Sequence, residues 1–371
     1  MSVQPISAQA MWMKKLGYLI FLLPPLLLPL SEWLWNQYGA ADLFAFTAVV
    51  VVFGVIPLLD HLLGQDAVNP DESEVESLSG EWYYRLLTLA CVPLYGSVLV
   101  YGYLIFQGDQ FSLIGQLGWL LSMGTVGGII AINVAHELIH KEPALEQNAG
   151  GLLLAMVCYG GFKVEHVRGH HVQVSTPNDA SSSRYGQNLY SFLPHAWLHN
   201  FLNAWKLEAK KLKVKKQSVW SVHNELIWWY GISLVLAITF AVLGGVEGLM
   251  FFLGQSFFAF TLLEIINYVE HYGLHRRKLE SGRYERPNIR HSWNSNYLLT
   301  NLFLFQLQRH SDHHAFPRRR YQVLRHHEES PQLPSGYAGM VVLALLPPLW
   351  FRVMNPRVEA YYQGEEHQLQ S

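Results

Sequence analysis

The chain has little cysteine and little charge. It holds only two cysteines in 371 residues, which excludes a disulfide scaffold, a cysteine-rich zinc module and a cysteine-ligated iron centre within this sequence. Charged residues make up 15% and hydrophobic residues 50% of the chain, whereas ordinary soluble domains carry roughly 25% charged residues. A disordered chain and an ordinary water-soluble enzyme are therefore both poor interpretations. The formal net charge of -2 argues against nucleic acid as the main partner.

Six apolar segments are long enough to cross a bilayer as helices, which takes about 20 residues each. The first contains three prolines, which membrane helices tolerate where neighbouring helices satisfy the freed carbonyls. Trp33 and Trp35 lie near its end and no small-residue cleavage site follows it, which favours an interfacial belt over a signal peptide. The segments lie at 16–36, 41–59, 84–106, 112–135, 226–245 and 247–266.

Basic residues are segregated to one side of these segments. The short links 37–40, 107–111 and 246 contain no lysine or arginine, so we expect them outside and both termini in the cytoplasm. The predicted fold class is all-α, an integral membrane bundle of about six transmembrane helices with a cytoplasmic, histidine-rich helical cap. It forms one integrated domain with four regions: transmembrane helices 1–4 (1–135), a cytoplasmic histidine-box region (136–225), transmembrane helices 5 and 6 (226–266), and a second cytoplasmic histidine-box region with the C-terminal tail (267–371).

Half of the 18 histidines fall into four groups. The first, HELIH (136–140), places two imidazoles at positions i and i+4, which share one face of a helix. Alone, this motif is typical of zinc metalloproteases, with Glu137 as the general base. Adjacent histidines on a helix diverge by about 100°, so the pairs in HVRGHH (166–171) and HSDHH (310–314) suit two metals better than one. The remaining group is the pair EH (270–271).

Together these groups supply too many imidazoles for one zinc, which takes about four ligands. They suit two metals with four or five nitrogens each, and since imidazole binds iron, zinc, copper and nickel, the ligand type leaves the metal open. Ligating imidazoles usually donate their second N–H to a carboxylate or carbonyl. We expect Glu137 and Asp312 to accept such bonds, and Glu165 and Glu270 either to do so or to bind metal directly. The candidate ligands are His136, His140, His166, His170, His171, His271, His310, His313 and His314.

These motifs resemble those of the membrane alkane 1-monooxygenases, the rubredoxin-dependent alkane omega-hydroxylases within the membrane fatty-acid desaturase and hydroxylase superfamily. The resemblance runs roughly from residue 40 to residue 355. The superfamily shares the general histidine boxes, whereas the third and fourth motifs single out the alkane and xylene branch. The motifs are HELIHK (136–141), EHVRGHH (165–171), NYVEHYG (267–273) and LQRHSDHHA (307–315), supported by PLLD (57–60), TPNDASSSR (176–184), QSVWS (217–221) and HSWNSN (291–296).

The resemblance implies a cofactor, a reaction and a location. Two non-haem irons would be held by the nine histidines, with O2 as cosubstrate and two electrons from a rubredoxin that an NADH-dependent rubredoxin reductase reduces. The terminal methyl of a medium-length n-alkane would become a 1-alkanol, with release of water, at the bacterial inner membrane. We expect one iron to take His136, His140, either His170 or His171 and some of the last group, and the other iron to take the remaining histidines.

Physical chemistry agrees with this reaction. A terminal C–H bond offers no acidic proton, leaving group or polarity, so a redox-active metal must carry the step, which zinc cannot do. An alkane is held by apolar contact alone, at about 0.8 kcal/mol per buried CH2, and reaches the site from lipid through a channel between helices. The candidate channel residues are Val51, Val52, Thr125 and Leu263, with Val50, Phe53, Leu121 and Leu262 beside them.

The electron donor must come from elsewhere, because rubredoxin needs four cysteines and the two here, Cys91 and Cys158, lie in apolar segments. We expect a separate rubredoxin chain or a fused domain that has been removed. Rubredoxins are acidic, so basic residues are candidate docking charges, although the preference for basic residues in cytoplasmic loops explains them equally well. These residues are Arg276, Arg277, Lys278, Arg318, Arg319 and Arg320.

Three other functions compete with this one. A membrane fatty-acid desaturase or hydroxylase would use the same metals on another substrate. An intramembrane zinc metalloprotease would be built on HELIH alone. A metal transporter is disfavoured because spans 3 to 5 lack the charged or polar residues of an ion path.

Overall fold

The computed structural model describes residues 8–362, with side chains from residue 12 onward. Every regular element in this range is helical, and the β-type pairings there are three isolated bridges, which confirms the all-α prediction. The last nine residues of the predicted C-terminal region 267–371, and the first seven of the predicted N-terminal region 1–135, lie outside the described residues.

The described chain contains long helices interspersed with short ones. In order they are α1 (Ala8–Gly17), α2 (Leu23–Tyr38), α3 (Ala41–Phe44), α4 (Thr47–Val50), α5 (Ile56–Leu63), α6 (Val75–Gly80), α7 (Trp82–Phe106), α8 (Leu113–Gly127), α9 (Asn133–Ile139), α10 (Ala144–Ala155), α11 (Phe162–Glu165), α12 (His171–Gln173), α13 (Leu189–Val214), α14 (Glu225–His271), α15 (Leu298–Phe303), α16 (His310–Ala315), α17 (Tyr337–Ala344) and α18 (Pro347–Tyr362). Three π-helical turns join some of them, at Val51–Val55, Gly128–Ile132 and His166–His170, and three 3-10 turns lie at Tyr18–Leu22, Glu72–Glu74 and Tyr321–Val323.

Four helical stretches of the described chain are long and apolar enough to cross a membrane. They are Trp12–Tyr38, Trp82–Phe106, Leu113–Ile139 and Glu225–His271. The predicted second span, 41–59, is instead divided, because the chain turns at residues 45–46 between α3 and the shorter apolar stretch Thr47–Leu63. By helix length the four stretches therefore correspond to the expected first, third and fourth spans and to the last two spans merged in α14.

The element α14 reverses direction in its middle. Gly245 has φ 59° and ψ -142°, and Gly244 is also non-helical, a conformation at Gly245 that essentially only glycine adopts. The two limbs then pack against each other, with the rings of Phe240 and Phe252 stacked at a centroid distance of 5.2 Å. The predicted pair of segments with a minimal link is thus present, and the reversal comes just before the expected residue 246.

The central helix of the bundle runs from α8 through the π turn Gly128–Ile132 into α9. In its most apolar stretch 78% of residues are buried, against 22–39% in the other three long helices. It packs so closely on the second limb of α14 that a Cβ added to Gly124 would lie 2.4 Å from Cβ of Phe258. Small residues at such contacts allow membrane helices to approach closely. The packing brings together the C-terminal ends of α9 and α14, which carry the first and third histidine groups.

Candidate metal centre

Five imidazoles meet where α9, the π turn before α12 and α16 come together. His136 lies on α9 and His140 directly follows that helix, one turn later. His166 begins the π turn, His171 follows it, and His313 lies on α16. One nitrogen from each lies within 4.8 Å of all the others. The Nε2 atom of His171 is 3.0 Å from that of His166 and 3.1 Å from that of His313.

Four further imidazoles, all buried, form a second group. Nε2 of His314 lies 2.9 Å from Nε2 of His310 and 3.3 Å from Nε2 of His170, and His271 joins them from the end of α14. The two groups are neighbours, since the rings of His171 and His314 stack at 4.4 Å. The structure therefore brings together all nine histidines singled out from the sequence, as five and four.

Local helix geometry decides which histidine joins which group. In an α-helix residues i and i+5 point about 140° apart, but the i+5 hydrogen bonding of a π turn returns them to one face. His166 therefore lies with His171, His136 and His140, whereas the sequence-based division put it with the other metal and is wrong on this point. Adjacent His170 and His171 do separate between the groups, as their divergence on a helix predicts.

Both groups fit metal binding. Two nitrogens that share a metal at about 2.0–2.1 Å lie about 2.9–3.4 Å apart at octahedral or tetrahedral angles, and the closest Nε2 pairs here are 2.9–3.3 Å apart. The Nε2 atoms of His136, His140 and His271 are buried without a hydrogen-bond partner among the described residues. Burial, reinforced by neighbouring imidazoles, holds the pKa of His171 and His313 well below the ordinary value, so both are neutral, as ligands must be.

Asp179 supports the second group from behind, and the sequence prediction missed it. It is buried in the loop before α13 and accepts a hydrogen bond from His170 Nδ1 at 2.9 Å. The Ser182 hydroxyl and the Ser181 amide also donate to its carboxylate, at 2.6 and 3.1 Å. Burial alone would raise the pKa of Asp179, but His170 and these hydrogen bonds hold it below the usual value. Its one signal in the sequence was the family-like stretch 176–184.

The second group has two more supporting contacts. The carbonyl of His291 accepts from His271 Nδ1 at 3.3 Å, and Oε2 of Glu270 lies 3.1 Å from Nε2 of His310. That nitrogen is the one that faces His314. Glu270 is therefore on the metal-facing side of the imidazole, which is compatible with the direct ligand role left open from the sequence.

The other three predicted carboxylates contact different groups, so their expected hydrogen bonds to the nine histidines are not found among the described residues. Glu137 forms an ion pair with Lys141 at 3.0 Å, and Asp312 forms one with Arg319 at 2.7 Å. Glu165 is buried, which together with the nearby Asp179 raises its pKa to about 8. A carboxylate binds a neighbouring cation more strongly than a neutral imidazole. The sequence prediction relied on each carboxylate being next to a histidine and did not identify Lys141 and Arg319 as the partners.

An apolar cavity of about 680 Å³, counting the space open to the outside, adjoins the histidines. Val52 and Leu263 line it as predicted, whereas Val51 and Thr125 are not among its lining residues. The hydroxyl of Thr125 instead donates to a carbonyl of its own helix at 2.8 Å, and Val51 lies at the start of a π turn that directs the next residue inward. The apolar wall also includes Phe53, Ile129, Leu262, Ile266, Phe303 and Val341.

The six basic residues proposed for docking divide into two kinds. Arg276 is buried and donates to the carbonyls of Val172 and Glu285. Arg319 and Arg320 bind carboxylates of the protein itself, Asp312 and Glu146, at 2.7 Å. These three side chains bind groups within the protein, and a docking role for them stays a prediction. The exposed ones are Arg277, Lys278 and Arg318.

Comparison with known proteins first defines a class. Residues 112–344 match the family model for fatty acid desaturases, which covers more than half of the chain, so the chain belongs to that membrane family.

Its relatives then define the branch. The chain is 62% identical over 367 residues to alkane 1-monooxygenase 2 of Pseudomonas aeruginosa, covering 98% of this chain and 97% of that protein. It is 60% identical to alkane 1-monooxygenase 2 of Alcanivorax borkumensis, covering 96% and 94%. A more distant relative, at 30% identity over 81% of each chain, is the xylene/toluene monooxygenase hydroxylase component XylM of Pseudomonas putida. The chain is a member of the alkane 1-monooxygenase family.

The Asp179→Asn substitution should weaken metal binding at the second group. An amide at this position can donate to His170 Nδ1, which favours the tautomer whose Nε2 carries a proton and cannot bind metal. We expect a metal affinity about 10- to 100-fold lower, measured by metal content after stepwise chelation. Asp42→Asn is the control, because Asp42 is far from Asp179 in the sequence and accepts a hydrogen bond from the exposed Ser112 amide. This substitution should leave the metal content unchanged. Equal losses in both variants would contradict the role of Asp179.

Proposed function

We propose that this chain hydroxylates the terminal methyl of medium-chain n-alkanes to 1-alkanols, using two non-haem irons, O2 and two electrons from rubredoxin. The observation that carries the proposal is the apolar cavity whose wall includes His136, His166 and His310. It joins a space suited to a hydrocarbon without functional groups to two clusters of metal-ligand nitrogens. The relatives at 60–62% identity are alkane 1-monooxygenases by name.

The overall reaction consumes the alkane, O2, two electrons and two protons, and yields the 1-alkanol and water. Bound iron would supply the redox chemistry with O2 that no side chain can supply. The five-histidine group would hold one ion and the four-histidine group the other: His136, His140, His166, His171 and His313 for the first, and His170, His271, His310 and His314 for the second.

The protein itself contributes binding, orientation and exclusion of water. Val52, Leu263 and the rest of the apolar wall hold the chain by contact, at about 0.8 kcal/mol per buried CH2. Because the histidines occupy only one portion of the wall, a chain that enters lengthwise presents a terminal carbon to them. Because the alkane has no polar group by which the protein could orient it, this shape constraint is the source of the selectivity for the terminal carbon.

We further propose six membrane crossings, with both termini in the cytoplasm of a bacterium and the inner membrane as the location. The two limbs of α14 and the stretch Thr47–Leu63 would add to the other three long helices. Large apolar side chains stay exposed on α14, among them Leu234 and Val242, as a lipid-facing surface requires. The short links that we place outside, 37–40, 107–111 and 246, contain no lysine or arginine, as the preference for basic residues on the cytoplasmic side predicts.

The zinc-metalloprotease alternative requires the HELIH glutamate to face a metal-bound water. Glu137 instead pairs with Lys141 and accepts from the Tyr321 amide at 3.2 Å, so the geometry disfavours it. A fatty-acid desaturase or hydroxylase would use the same histidines, and product analysis separates it from an alkane hydroxylase.

The protein in lipid nanodiscs, loaded with Fe(II) and supplied with rubredoxin, its reductase and NADH, should convert octane to 1-octanol. With isotopically labelled O2 the alcohol should contain one labelled oxygen atom, detected by mass spectrometry. Chelation should abolish the product and iron should restore it, whereas zinc should not, because zinc has no redox chemistry. A double bond introduced into an acyl chain, with octane untouched, would instead identify a desaturase.

Val52→Trp should shorten the longest alkane accepted, because the indole would fill cavity space that Val52 leaves open. Gas chromatography of products from a mixture of alkanes of different lengths measures the change. Val51→Trp, which we expected from the sequence to act in the same way, should have little effect because Val51 does not line the cavity. Val50→Trp is a further control, at an exposed position. An unchanged product range in Val52→Trp removes this residue from the substrate channel.

We propose that an acidic rubredoxin docks on the loop that follows α14. This loop exposes Arg277 and Lys278, and also Arg283, Arg286 and Arg290, which the sequence prediction did not include. The residue after Arg290 is His291, whose carbonyl contacts His271 of the second group. The loop therefore combines positive charge with a short route to the histidines, whereas Arg318 pairs with Glu142 at 3.0 Å on another segment.

Replacing Arg283, Arg286 and Arg290 together by glutamate should raise the KM for rubredoxin about tenfold at low salt, because complementary charges mainly accelerate association. The effect should fade as salt screens the charges, and kcat at saturating rubredoxin should stay the same. Steady-state kinetics at two ionic strengths measure both. Arg318→Glu is the matched comparison: should it alone raise the KM, docking is on the other face.

A further inference from the structure

The cavity beside the histidines has a small polar region in an otherwise apolar wall. Tyr337 of α17 and Glu270 of α14 line it, and both side chains are buried, each with about 1% of its surface exposed. The Tyr337 hydroxyl faces the Glu270 carboxylate. Oε2 of that carboxylate lies 3.1 Å from Nε2 of His310. The polar region is therefore next to the four-histidine group.

These polar atoms lack hydrogen bonds of normal geometry. Nδ2 of Asn133 has no partner among the described residues, and the Tyr337 hydroxyl has only its contact with the Glu270 carboxylate, which falls short of normal geometry. Asn133 lines the same cavity one turn before His136 and is only 6% exposed. A buried polar group without a partner destabilises the protein, so persistent polar atoms in an apolar cavity indicate a polar occupant.

An alkane cannot be that occupant, because it has no donor or acceptor and would leave Asn133 Nδ2 unpaired and the Tyr337 hydroxyl with only its poorly aligned contact to Glu270. The product of the proposed function differs from its substrate by one hydroxyl, which is both a donor and an acceptor. It can donate to Glu270 Oε1 and accept from Tyr337 or from Asn133. Resting on the proposed function, this comparison selects the hydroxyl of the alcohol over the methyl of the alkane.

We propose that Tyr337, Glu270 and Asn133 form a polar subsite that binds the hydroxyl group of a 1-alkanol beside the four-histidine group. The apolar wall then holds alkane and alcohol alike, whereas the subsite favours the alcohol. The fresh product is thereby retained at the place where it forms.

The test compares 1-octanol with n-nonane, which has the same number of non-hydrogen atoms. Binding to the full-length protein in lipid nanodiscs is measured by titration calorimetry, with empty nanodiscs subtracted, on iron-loaded and metal-free protein. We expect 1-octanol to bind the wild type more tightly than nonane. Tyr337→Phe removes one hydroxyl that makes no normal hydrogen bond, and should weaken 1-octanol about three- to tenfold while nonane is unchanged.

Val341→Ala is the matched control, since Val341 lies one turn from Tyr337 on α17 and belongs to the apolar wall. It should weaken both ligands equally. Asn133→Leu, which keeps the side-chain volume, is a second variant in case Tyr337→Phe does not fold, and should also weaken 1-octanol selectively. Equal binding of the two ligands to the wild type, or variants that leave the difference intact, would overturn the subsite and leave water as its occupant. Since binding needs no turnover, this result is independent of whether octane is hydroxylated.

Discussion

The arrangement depends on nine imidazoles, seven buried and two half-buried, held with their nitrogens facing one another. The Nε2 atoms are 2.9–3.3 Å apart. Neutral imidazoles carry one N–H proton each, which is too few for every close pair of nitrogens to form a hydrogen bond, and protonated imidazoles would repel one another. Metal ions resolve the conflict because they accept several nitrogens at once at these spacings. The surrounding structure serves this constraint: α9 and α14 end at the same place, α16 closes over them, and Asp179 and the His291 carbonyl fix two rings from behind.

The cavity and the histidines depend on the same elements. The second limb of α14 contributes Leu263 and Ile266 to the apolar wall and, one to two turns later, Glu270 and His271 to the polar end. Close contact at Gly124 positions that limb against the central helix. A small shift between these two helices would therefore change both the geometry of the metal ligands and the space available to the hydrocarbon, so the two properties are coupled.

Helical periodicity predicted the features of the site that depend on regular α-helices. The spacing of HELIH put His136 and His140 on one face, adjacent histidines separated between two groups, and composition indicated an all-helical membrane bundle. The differences between prediction and structure have local causes. A π turn moved His166 to the other group, and another one left Val51 off the cavity wall. Asp179 reaches His170 through a loop without periodicity. Arg276 turned inward because buried carbonyls accept its hydrogen bonds, which charge alone does not reveal.

All three π turns border the cavity or the histidines, through Val52 and Phe53, Gly128 and Ile129, and His166. Each such turn contains one residue more than the α-helical turn it replaces. Loss of that residue would rotate everything beyond it by about 100° relative to the segment before. Among descendants of this chain, single-residue deletions should therefore be rare in these three turns and common in the loops away from the cavity. The positions of such deletions alone would then distinguish the segments around the cavity and the histidines from the rest of the chain.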